Sequence, residues 1–363
     1  MKLLYITNQI CGSGGLERVL AVKASYLAEK LGYDVHIITF NQGNHSLFYN
    51  FSNKLHYHDI KTHKFNPLSH INGLKRKVTE IKPNIISVCD DGVKGFFIPQ
   101  ILKTTCPMIY ERHASKNIFK TKENPDYIRK IKFSILNMLM NYGASKYDSF
   151  VVLTNDNLKE WKLNNLKVIA NPLSFYPKEK SSLENKRVIA VGSHTYQKGF
   201  DRLLKIWSKV ILAYPDWILD IYGKIDSNKT YIKLADNLKL SNSVNFHQPV
   251  NDIETKYRAA SIYLMSSRSE GFGMVLIEAM SNGVPCISFD CPRGPKDIIT
   301  DGEDGFLVPD GNIDAFVERL ELLIKDKDLR VDMGRKAILN AQKYLPEYIV
   351  PQWDNLFKSL LKI

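Results

Sequence analysis

Short apolar runs alternate with longer segments of helical periodicity along this chain of 363 residues, and that alternation restricts its possible folds more than any other feature. The short runs lack polar–apolar alternation, which is typical of strands buried on both faces of a parallel sheet. Parallel strands need crossover connections, usually helices, so the pattern predicts a doubly wound α/β fold. The runs predicted as strands are residues 2–7, 35–39, 85–88, 108–110, 150–153, 187–191, 217–222, 244–250 and 262–265.

Residues 171–186 interrupt the alternation and are rich in Pro, Ser, Lys and Glu, as linkers between domains commonly are. The strand and helix pattern then starts again, and 363 residues exceed what a single core usually holds. We therefore predict two Rossmann-like domains, residues 1–170 and 171–345, followed by a C-terminal helical segment, residues 346–363.

The first half of the chain carries almost all of the net charge. Residues 1–170 contain 24 Lys and Arg against 13 Asp and Glu, whereas residues 171–363 contain 26 against 25. An anionic substrate, an anionic membrane surface and nucleic acid are each compatible with such a basic half, as is a generally lysine-rich proteome. The sequence contains no recognisable nucleic-acid-binding motif, so no nucleic-acid partner is expected.

The five cysteines are scattered, without the spacing of a metal site or of a disulfide framework. This usage fits a reducing compartment. The longest apolar runs fall well short of the roughly 18 residues of a membrane span, and polar residues follow the first strand too soon for a signal peptide. We therefore expect a cytoplasmic protein.

Residues 112–140 combine many basic residues with an apolar helical stripe, which predicts docking on an anionic membrane surface. The alternative interpretation is a helix that packs on the core and has one wet side. If the segment docks, the protein is peripheral on the inner face of the cell membrane. The basic residues are Arg112, Lys116, Lys120, Lys122, Arg129, Lys130 and Lys132, and the apolar residues are Ile128, Ile131, Phe133, Ile135, Leu136, Met138 and Leu139.

Gly271, Phe272 and Gly273 are predicted to form a loop that enters a helix. The free N–H groups and the dipole at a helix start favour an anion such as a diphosphate. Glu270 precedes the loop, and Glu278 would lie roughly 7–8 Å along the helix axis from Gly273. The two carboxylates could then accept hydroxyls from the sugar and the ribose of a nucleotide sugar. The alternative is that both glutamates belong to a solvated helix face.

Two groups of residues follow predicted strands in the first half, where parallel sheets bind their ligands. Gly14 and Gly15 lie in a glycine-rich loop between a strand and a helix, which is the layout of a phosphate cradle, although many such loops are only turns. Glu111, Arg112 and His113 follow another strand and are candidates for an active site.

Three motifs together resemble the family-four retaining glycosyltransferases of the GT-B fold: Glu-Gly-Phe-Gly-x4-Glu-Ala-Met at 270–280, Gly-Val-Pro-Cys-Ile at 283–287 and Gly-x2-Gly-Phe-Leu-Val at 302–308. Residues 290–297 also resemble a loop of relatives that build bacterial surface polysaccharides. The resemblance implies two domains that face across a cleft, the first for the acceptor and the second for the nucleotide sugar. It further implies that the C-terminal helix returns to the first domain.

The activity implied by the resemblance is transfer of a hexosyl or N-acetylhexosaminyl group from a nucleotide sugar, expected to be UDP-linked, to a saccharide or lipid-linked saccharide. The leaving phosphate would guide a same-face displacement, because no carboxylate is clearly placed as a nucleophile. The family needs no metal, so Asp90 and Asp91 are not interpreted as metal ligands, and no cofactor is expected. A GT-B epimerase or phosphorylase, and a non-enzymatic nucleic-acid- or membrane-binding module, remain as alternatives.

The resemblance also assigns roles to residues. Lys198 is expected to contact the donor diphosphate and Glu270 to orient the sugar. Ser193 stands where the family usually has an arginine, so His194 is expected to meet the second phosphate charge. The expected catalytic residues are Glu270, Lys198 and His113, with Arg112 as the alternative to His113. The expected donor-binding residues are Gly14, Gly15, Arg112, His194, Lys198, Val250, Glu270, Gly271, Phe272, Gly273, Met274, Val275 and Glu278.

Overall fold

The computed structural model describes residues 1–60, 67–90, 92–116 and 127–362. The chain divides into two compact units. Met1–Ser174 and Pro346–Ile363 form the first unit, and Phe175–Leu345 form the second. Within the described residues, no helix combines the length and the apolar character that crossing a bilayer requires.

The first unit contains a seven-stranded sheet whose described pairings are all parallel, in the order β3-β2-β1-β4-β5-β6-β7. The five strands predicted for this half are confirmed, and β3 and β7 are additional. The strands are β1 (Lys2–Thr7), β2 (Asp34–Thr39), β3 (His56–Asp59), β4 (Ile85–Cys89), β5 (Met108–Glu111), β6 (Ser149–Val152) and β7 (Leu166–Val168). The helices are α1 (Gly15–Lys30), α2 (Pro67–Ile81), α3 (Ile98–Leu102), α4 (Tyr127–Ala144) and α5 (Asn155–Leu158), with a 3₁₀ turn at Lys94–Phe97.

The second unit repeats the architecture with a six-stranded parallel sheet in the order β10-β9-β8-β11-β12-β13. Its four predicted strands are confirmed, although the strand predicted at 244–250 ends at His247, and β12 and β13 are additional. The strands are β8 (Arg187–Val191), β9 (Ile218–Tyr222), β10 (Val244–His247), β11 (Ile262–Met265), β12 (Cys286–Phe289) and β13 (Gly305–Val308). The helices are α6 (Phe200–Val210), α7 (Thr230–Asn237), α8 (Ile253–Arg258), α9 (Met274–Ser281), α10 (Pro295–Ile298), α11 (Ile313–Lys325) and α12 (Lys327–Gln342), with a 3₁₀ turn at Tyr196–Lys198.

Burial explains why these segments take their structures. The central strands β4, β5, β6, β11 and β12 are buried at every position, as strands covered by helices on both faces must be. In α6, Phe200, Leu203, Leu204 and Trp207 are buried at the i, i+3, i+4 and i+7 positions of one helical face.

The last helix, α13 (Pro346–Leu361), belongs to the first unit and contacts α1. Pro346 is its first residue, where proline removes no intrahelical hydrogen bond. Trp353 on its inner face is buried, and the Tyr33 hydroxyl donates to Asp354 Oδ1 at 2.5 Å. The segment after α12 therefore completes the core of the first unit.

Candidate active site

The strand order of the second sheet reverses between β8 and β11, which lie side by side although 70 residues separate them in the chain. The loops that follow these two strands therefore begin at neighbouring carboxyl ends. In doubly wound sheets this switch point forms the crevice in which ligands bind. The loop after β8 carries Lys198, and the loop after β11 carries Glu270.

Lys198 and Glu270 form an ion pair at this position. Lys198 Nζ lies 2.7 Å from Glu270 Oε1, and Ser267 Oγ donates to the same oxygen at 2.6 Å. The Glu270 side chain is almost fully buried, whereas the ammonium side chain stays 21% exposed. The structure thus brings together two predicted catalytic residues and leaves the cation accessible to a ligand.

Hydrogen bonds from side chains to backbone carbonyls hold the two loops together. Ser266 Oγ donates to the Lys198 carbonyl at 2.9 Å, and Gln197 Nε2 donates to the Ser269 carbonyl at 2.7 Å. Gly199 has a φ of +64° and lies so close to the Ser266 carbonyl that a Cβ atom would collide with it. Only glycine fits both conditions, which explains the Lys-Gly pair.

Arg268 makes further contacts that hold the loop after β11 in place. The sequence analysis assigned no role to this residue. Its guanidinium donates to both carboxylate oxygens of Asp201, at 2.8 and 2.7 Å, and lies over the Tyr196 ring at 4.0 Å. Although burial works to raise the pKa of Asp201, its hydrogen bonds with Arg268 outweigh burial and lower it. A sequence signal was available, since Arg268 lies two residues before the motif at 270–280 and Asp201 follows the Lys-Gly pair by two residues.

The predicted helix start after Gly273 is confirmed. Gly273 has a φ of +108° and caps α9, which begins at Met274. Glu278 lies in the middle of this helix and is 1% exposed, and the Tyr257 hydroxyl donates to its Oε2 at 3.2 Å. Neither Glu270 nor Glu278 belongs to a solvated helix face, so that alternative is excluded.

A second loop supports the start of α9. Gly294 has a φ of +103° and packs against the Phe272 carbonyl so closely that no Cβ atom would fit. The Phe272 ring packs edge-on against Tyr344 at 5.5 Å. The loop at 290–297 therefore fixes the position of the amides at the start of α9.

We expect Gly294→Ala to weaken donor binding about 10–100-fold, because the added methyl group must displace Phe272 and with it the helix start. Gly311→Ala is the matched control. Gly311 also has a positive φ, of +81°, but a Cβ atom there would meet nothing within 4 Å. Isothermal titration with UDP would check this, and equal affinities for the two variants would contradict it.

His194 has a different environment from the one expected of a phosphate ligand. Its side chain is fully buried and packs edge-on against Phe200, Tyr231 and Phe246, with ring centroids 5.4–5.5 Å away. Burial lowers the pKa of His194 despite Asp226, whose Oδ1 lies 3.7 Å from Nδ1. The structure gives His194 a packing role, and a role toward the donor stays a prediction.

Three other residues that were predicted to bind the donor lie in different units of the chain. Val250 is half-buried and follows β10, the edge strand of the second sheet. In the first unit Gly14 caps α1 and Gly15 begins it. The Glu17 carboxylate of α1 lies close to Gly14, so a side chain at position 14 would have to displace it.

Glu111 is the centre of a buried cluster at the end of β5. It is ion-paired with Lys23 of α1, accepts a hydrogen bond from Ser87 Oγ at 2.6 Å and lies 3.3 Å from His113 Nε2. Burial alone would raise the pKa of Glu111, but Lys23 and His113 outweigh it and hold this pKa at about 2. Glu111 therefore stays ionised and orients the His113 ring, which supports His113 as the predicted site residue of this unit.

The sequence analysis did not identify Lys23 as a buried residue, although its position on α1 could have indicated this. It occupies the apolar face of α1, four residues after Val19 and three after Leu20, where an unpaired lysine would be costly. Its ammonium also lies 3.8 Å from the centre of the Trp353 ring of α13. The C-terminal helix thus covers this ion pair.

Two basic residues of the predicted membrane segment are not surface groups. Arg112 is 3% exposed, and Lys116 is 7% exposed and donates to Asn141 Oδ1 and to the Glu160 carbonyl. Burial lowers the pKa of Lys116 to about 8. The prediction that these two side chains face lipid headgroups is therefore wrong, because both pack inside the unit. Lys120 and Lys122 lie outside the described residues, as do the side chains of Arg129 and Lys130.

Asp90 has a local structural role in the turn after β4. Its Oδ1 accepts from the Gly92 N–H and its Oδ2 from the Gly95 N–H, both at 2.9 Å. The carboxylate thus organises the turn after β4. Asp91 lies outside the described residues.

Similarity to known proteins identifies the family of this chain. The sequence profile described as "Glycosyl transferases group 1" matches residues 175–339. An uncharacterized glycosyltransferase of Haemophilus influenzae is 32% identical over 365 residues, which cover 98% of this chain and 99% of that protein. The chain belongs to the group 1 glycosyltransferases.

This glycosyltransferase is also similar to other proteins over almost the whole length of both chains. The amylovoran biosynthesis glycosyltransferase AmsD of Erwinia amylovora is 29% identical, over 98% of this chain and 99% of the relative. The crystal structure of Anabaena HepE in complex with UDP and glucose superposes with a TM-score of 0.77 at 18% identity, over 99% of this chain and 100% of that one. The fold is GT-B, as the sequence predicted.

Proposed function

We propose that this glycosyltransferase moves a hexosyl or N-acetylhexosaminyl group from a UDP-sugar to a saccharide or lipid-linked saccharide in bacterial polysaccharide biosynthesis, with retention at the anomeric carbon. The observation that carries the proposal is the Lys198–Glu270 pair at the switch point of the second sheet. The relative named for amylovoran biosynthesis supports the pathway class, and the HepE complex with UDP supports the donor.

The proposed chemistry is charge stabilisation at the leaving group. The bond from the anomeric carbon to the diphosphate oxygen breaks, and negative charge develops on the departing UDP. Lys198 and the amides at the start of α9 stabilise that charge. The acceptor hydroxyl attacks from the face that the diphosphate leaves, and it gives its proton to a departing phosphate oxygen.

The two carboxylates hold the donor in this proposal. Glu270 is engaged by Lys198 and Ser267, so it orients the sugar and does not attack it. Glu278 accepts hydroxyls of the ribose, and Tyr257 fixes its orientation. Closure of the site excludes water, which would otherwise hydrolyse the donor.

The acceptor is assigned to the first unit. A cavity of about 900 Å³ lies there at the carboxyl ends of β1, β2 and β4, where parallel sheets bind ligands. Most of its lining is apolar, and Asn8, Asn41 and Asp90 are among its polar residues. Such a lining suits an acceptor that carries both hydroxyls and an apolar portion.

The test of the proposed function is a thermal-shift screen against nucleoside diphosphates and their sugars, followed by product analysis. A UDP-sugar at 100 times its Kd should stabilise the protein by about 2.7 kcal/mol. NMR of the product should then show the donor's anomeric configuration. Conversion of the donor without an acceptor would instead indicate an epimerase, and DNA that displaced UDP would indicate the binding-module alternative.

Membrane docking is assigned to the exposed face of α4. Its large apolar residues recur at helical spacing, so they form one stripe. Lys132 on α4 and Lys146 just beyond it are exposed and add positive charge, which favours an anionic bilayer as the occupant. The stripe consists of Ile128, Ile131, Ile135, Met138, Leu139 and Tyr142, which are 41–65% exposed.

We expect the protein to float with vesicles that contain anionic lipid and to remain behind with purely zwitterionic vesicles. Replacing Ile135 and Met138 together with Glu should abolish flotation, because two charges would enter the apolar layer. Leu212→Glu is the control, since Leu212 is 84% exposed in the second unit. Flotation that did not depend on lipid charge, or that persisted after the double substitution, would contradict the assignment.

A further inference from the structure

The edge of the first sheet carries a cluster of histidines that the transferase reaction does not use. β3 is the edge strand and pairs in parallel with β2, with His36 directly opposite His56. Because side chains two apart share a face of a strand, Asp34 and His36 point to the same side as His56 and His58. The cluster lies toward the amino ends of the strands, away from the carboxyl ends where ligands of the reaction bind.

The distances within this cluster match those of metal ligands. Asp34 Oδ1 lies 3.1 Å from His36 Nε2 and 3.3 Å from His56 Nε2, and the three ligand atoms lie within 4.8 Å of one another. Tetrahedral zinc with bonds of about 2.0–2.1 Å separates its ligand atoms by roughly 3.3 Å. The His36 and His56 rings are stacked, with centroids 4.7 Å apart and planes at 24°, so a turn of these side chains brings both Nε2 atoms to face one ion.

The hydrogen bonding of His36 is also that of a metal ligand. Its Nδ1 lies 2.9 Å from His58 Nε2, which leaves Nε2 to face Asp34 and His56. This Nε2 is buried and lies 3.1 Å from Asp34 Oδ1. Metal-binding histidines typically donate through their other ring nitrogen, and His58 Nε2 is placed to accept from His36 Nδ1 when a metal occupies His36 Nε2.

We propose that Asp34, His36 and His56 bind one zinc ion, with His58 as the residue that orients His36. Two imidazoles and one carboxylate are a ligand set suited to zinc, and solvent completes the coordination. Asp34 and His56 are 43% and 57% exposed, so the ion has access from solvent. Lys2 approaches the other carboxylate oxygen of Asp34, at 3.7 Å from Oδ2, and leaves Oδ1 available.

The role of this ion is to fasten β3 to β2. Three of the four residues of β3 are exposed, so few buried contacts hold this edge strand. An ion bound by residues of both strands links them and occupies the sheet edge, which proteins otherwise protect from pairing with other chains.

The test is a zinc titration of the full chain, prepared without a histidine tag and stripped with a chelator. We expect one equivalent of Zn²⁺ to bind and raise the Tm, whereas Mg²⁺ should do neither. His56→Ala and Asp34→Asn should each weaken binding more than about 100-fold, and His58→Ala about 10–100-fold. His45→Ala is the control, because His45 is exposed outside the cluster. It should bind Zn²⁺ like the wild-type protein.

Cobalt substitution provides an independent readout. Co²⁺ bound by the wild-type protein should give the strong visible absorption of a tetrahedral site, and His56→Ala should lose it. Wild-type zinc affinity in His56→Ala and Asp34→Asn would locate the ion elsewhere, for example at Cys89, Glu111 and His113, whose ligand atoms also lie together. That result, or the absence of saturable binding, would overturn the proposal.

Discussion

Lys198→Ala is expected to lower kcat/KM by about 10²–10³, the largest effect on activity of any single substitution considered. Lys198 is the accessible cation at the switch point, and the start of α9 supplies only partial charges. Because the leaving diphosphate gains charge in the transition state, most of the loss should appear in kcat. Steady-state kinetics with a UDP-sugar and its acceptor would measure it.

A matched control separates this effect from general loss of charge. Lys205 lies on the exposed side of α6, the helix that begins just after Lys198, so Lys205→Ala should keep wild-type kinetics. Lys198→Ala also leaves Glu270 without its cation, so the Tm must be measured for both variants. A properly folded Lys198→Ala enzyme with kcat/KM within threefold of the wild type would refute the assigned role.

Lys23→Met is expected to produce the largest loss of stability, about 3–5 kcal/mol, because it leaves the Glu111 carboxylate buried without its cation. Lys23 and Glu111 are both 1% exposed, so water cannot compensate. Trp353 packs on the Lys23 ammonium, and its fluorescence should report the transition of the first unit during urea denaturation.

The double variant Lys23→Met/Glu111→Gln distinguishes loss of charge pairing from loss of packing. It should recover much of the stability, since neither buried charge remains. Lys30→Met, on an exposed position of the same helix, should change the free energy of unfolding by less than about 0.5 kcal/mol. A double variant no more stable than Lys23→Met alone would refute the electrostatic explanation.

The same pair predicts how stability depends on pH. The pKa of Glu111 is about 2 in the folded protein, against 4.5 for an unperturbed glutamate. The folded state therefore holds this carboxylate ionised, and the resulting stability is present above pH 4.5 and lost as the pH falls toward 2. The contribution is about 3 kcal/mol, from 1.36 kcal/mol per unit of pKa. Acid denaturation of the Lys23→Met/Glu111→Gln variant should lack this component.

The sequence predicted the alternation of strands and helices well because buried parallel strands leave continuous apolar runs. It missed β3, whose sequence His-Tyr-His-Asp is polar and mostly exposed, so only pairing with β2 identifies it as a strand. β7 is three residues long and was missed for a similar reason.

The candidate site was predicted in part. Lys198 and Glu270 are 72 residues apart, and their meeting follows from the adjacency of β8 and β11, which a parallel strand order allows but does not dictate. The sequence could not predict the direction in which individual side chains point. His194 turns into a cluster of rings, and Lys116 turns into the unit, although both lie in segments rich in polar residues.

The most direct test of the central claim is a crystal structure of the protein with an intact or slowly transferred UDP-sugar. We expect the diphosphate to contact Lys198 and the amides at the start of α9, with Glu270 beside the sugar and Glu278 beside the ribose. A diphosphate bound away from α9, with neither carboxylate near the ligand, would contradict it.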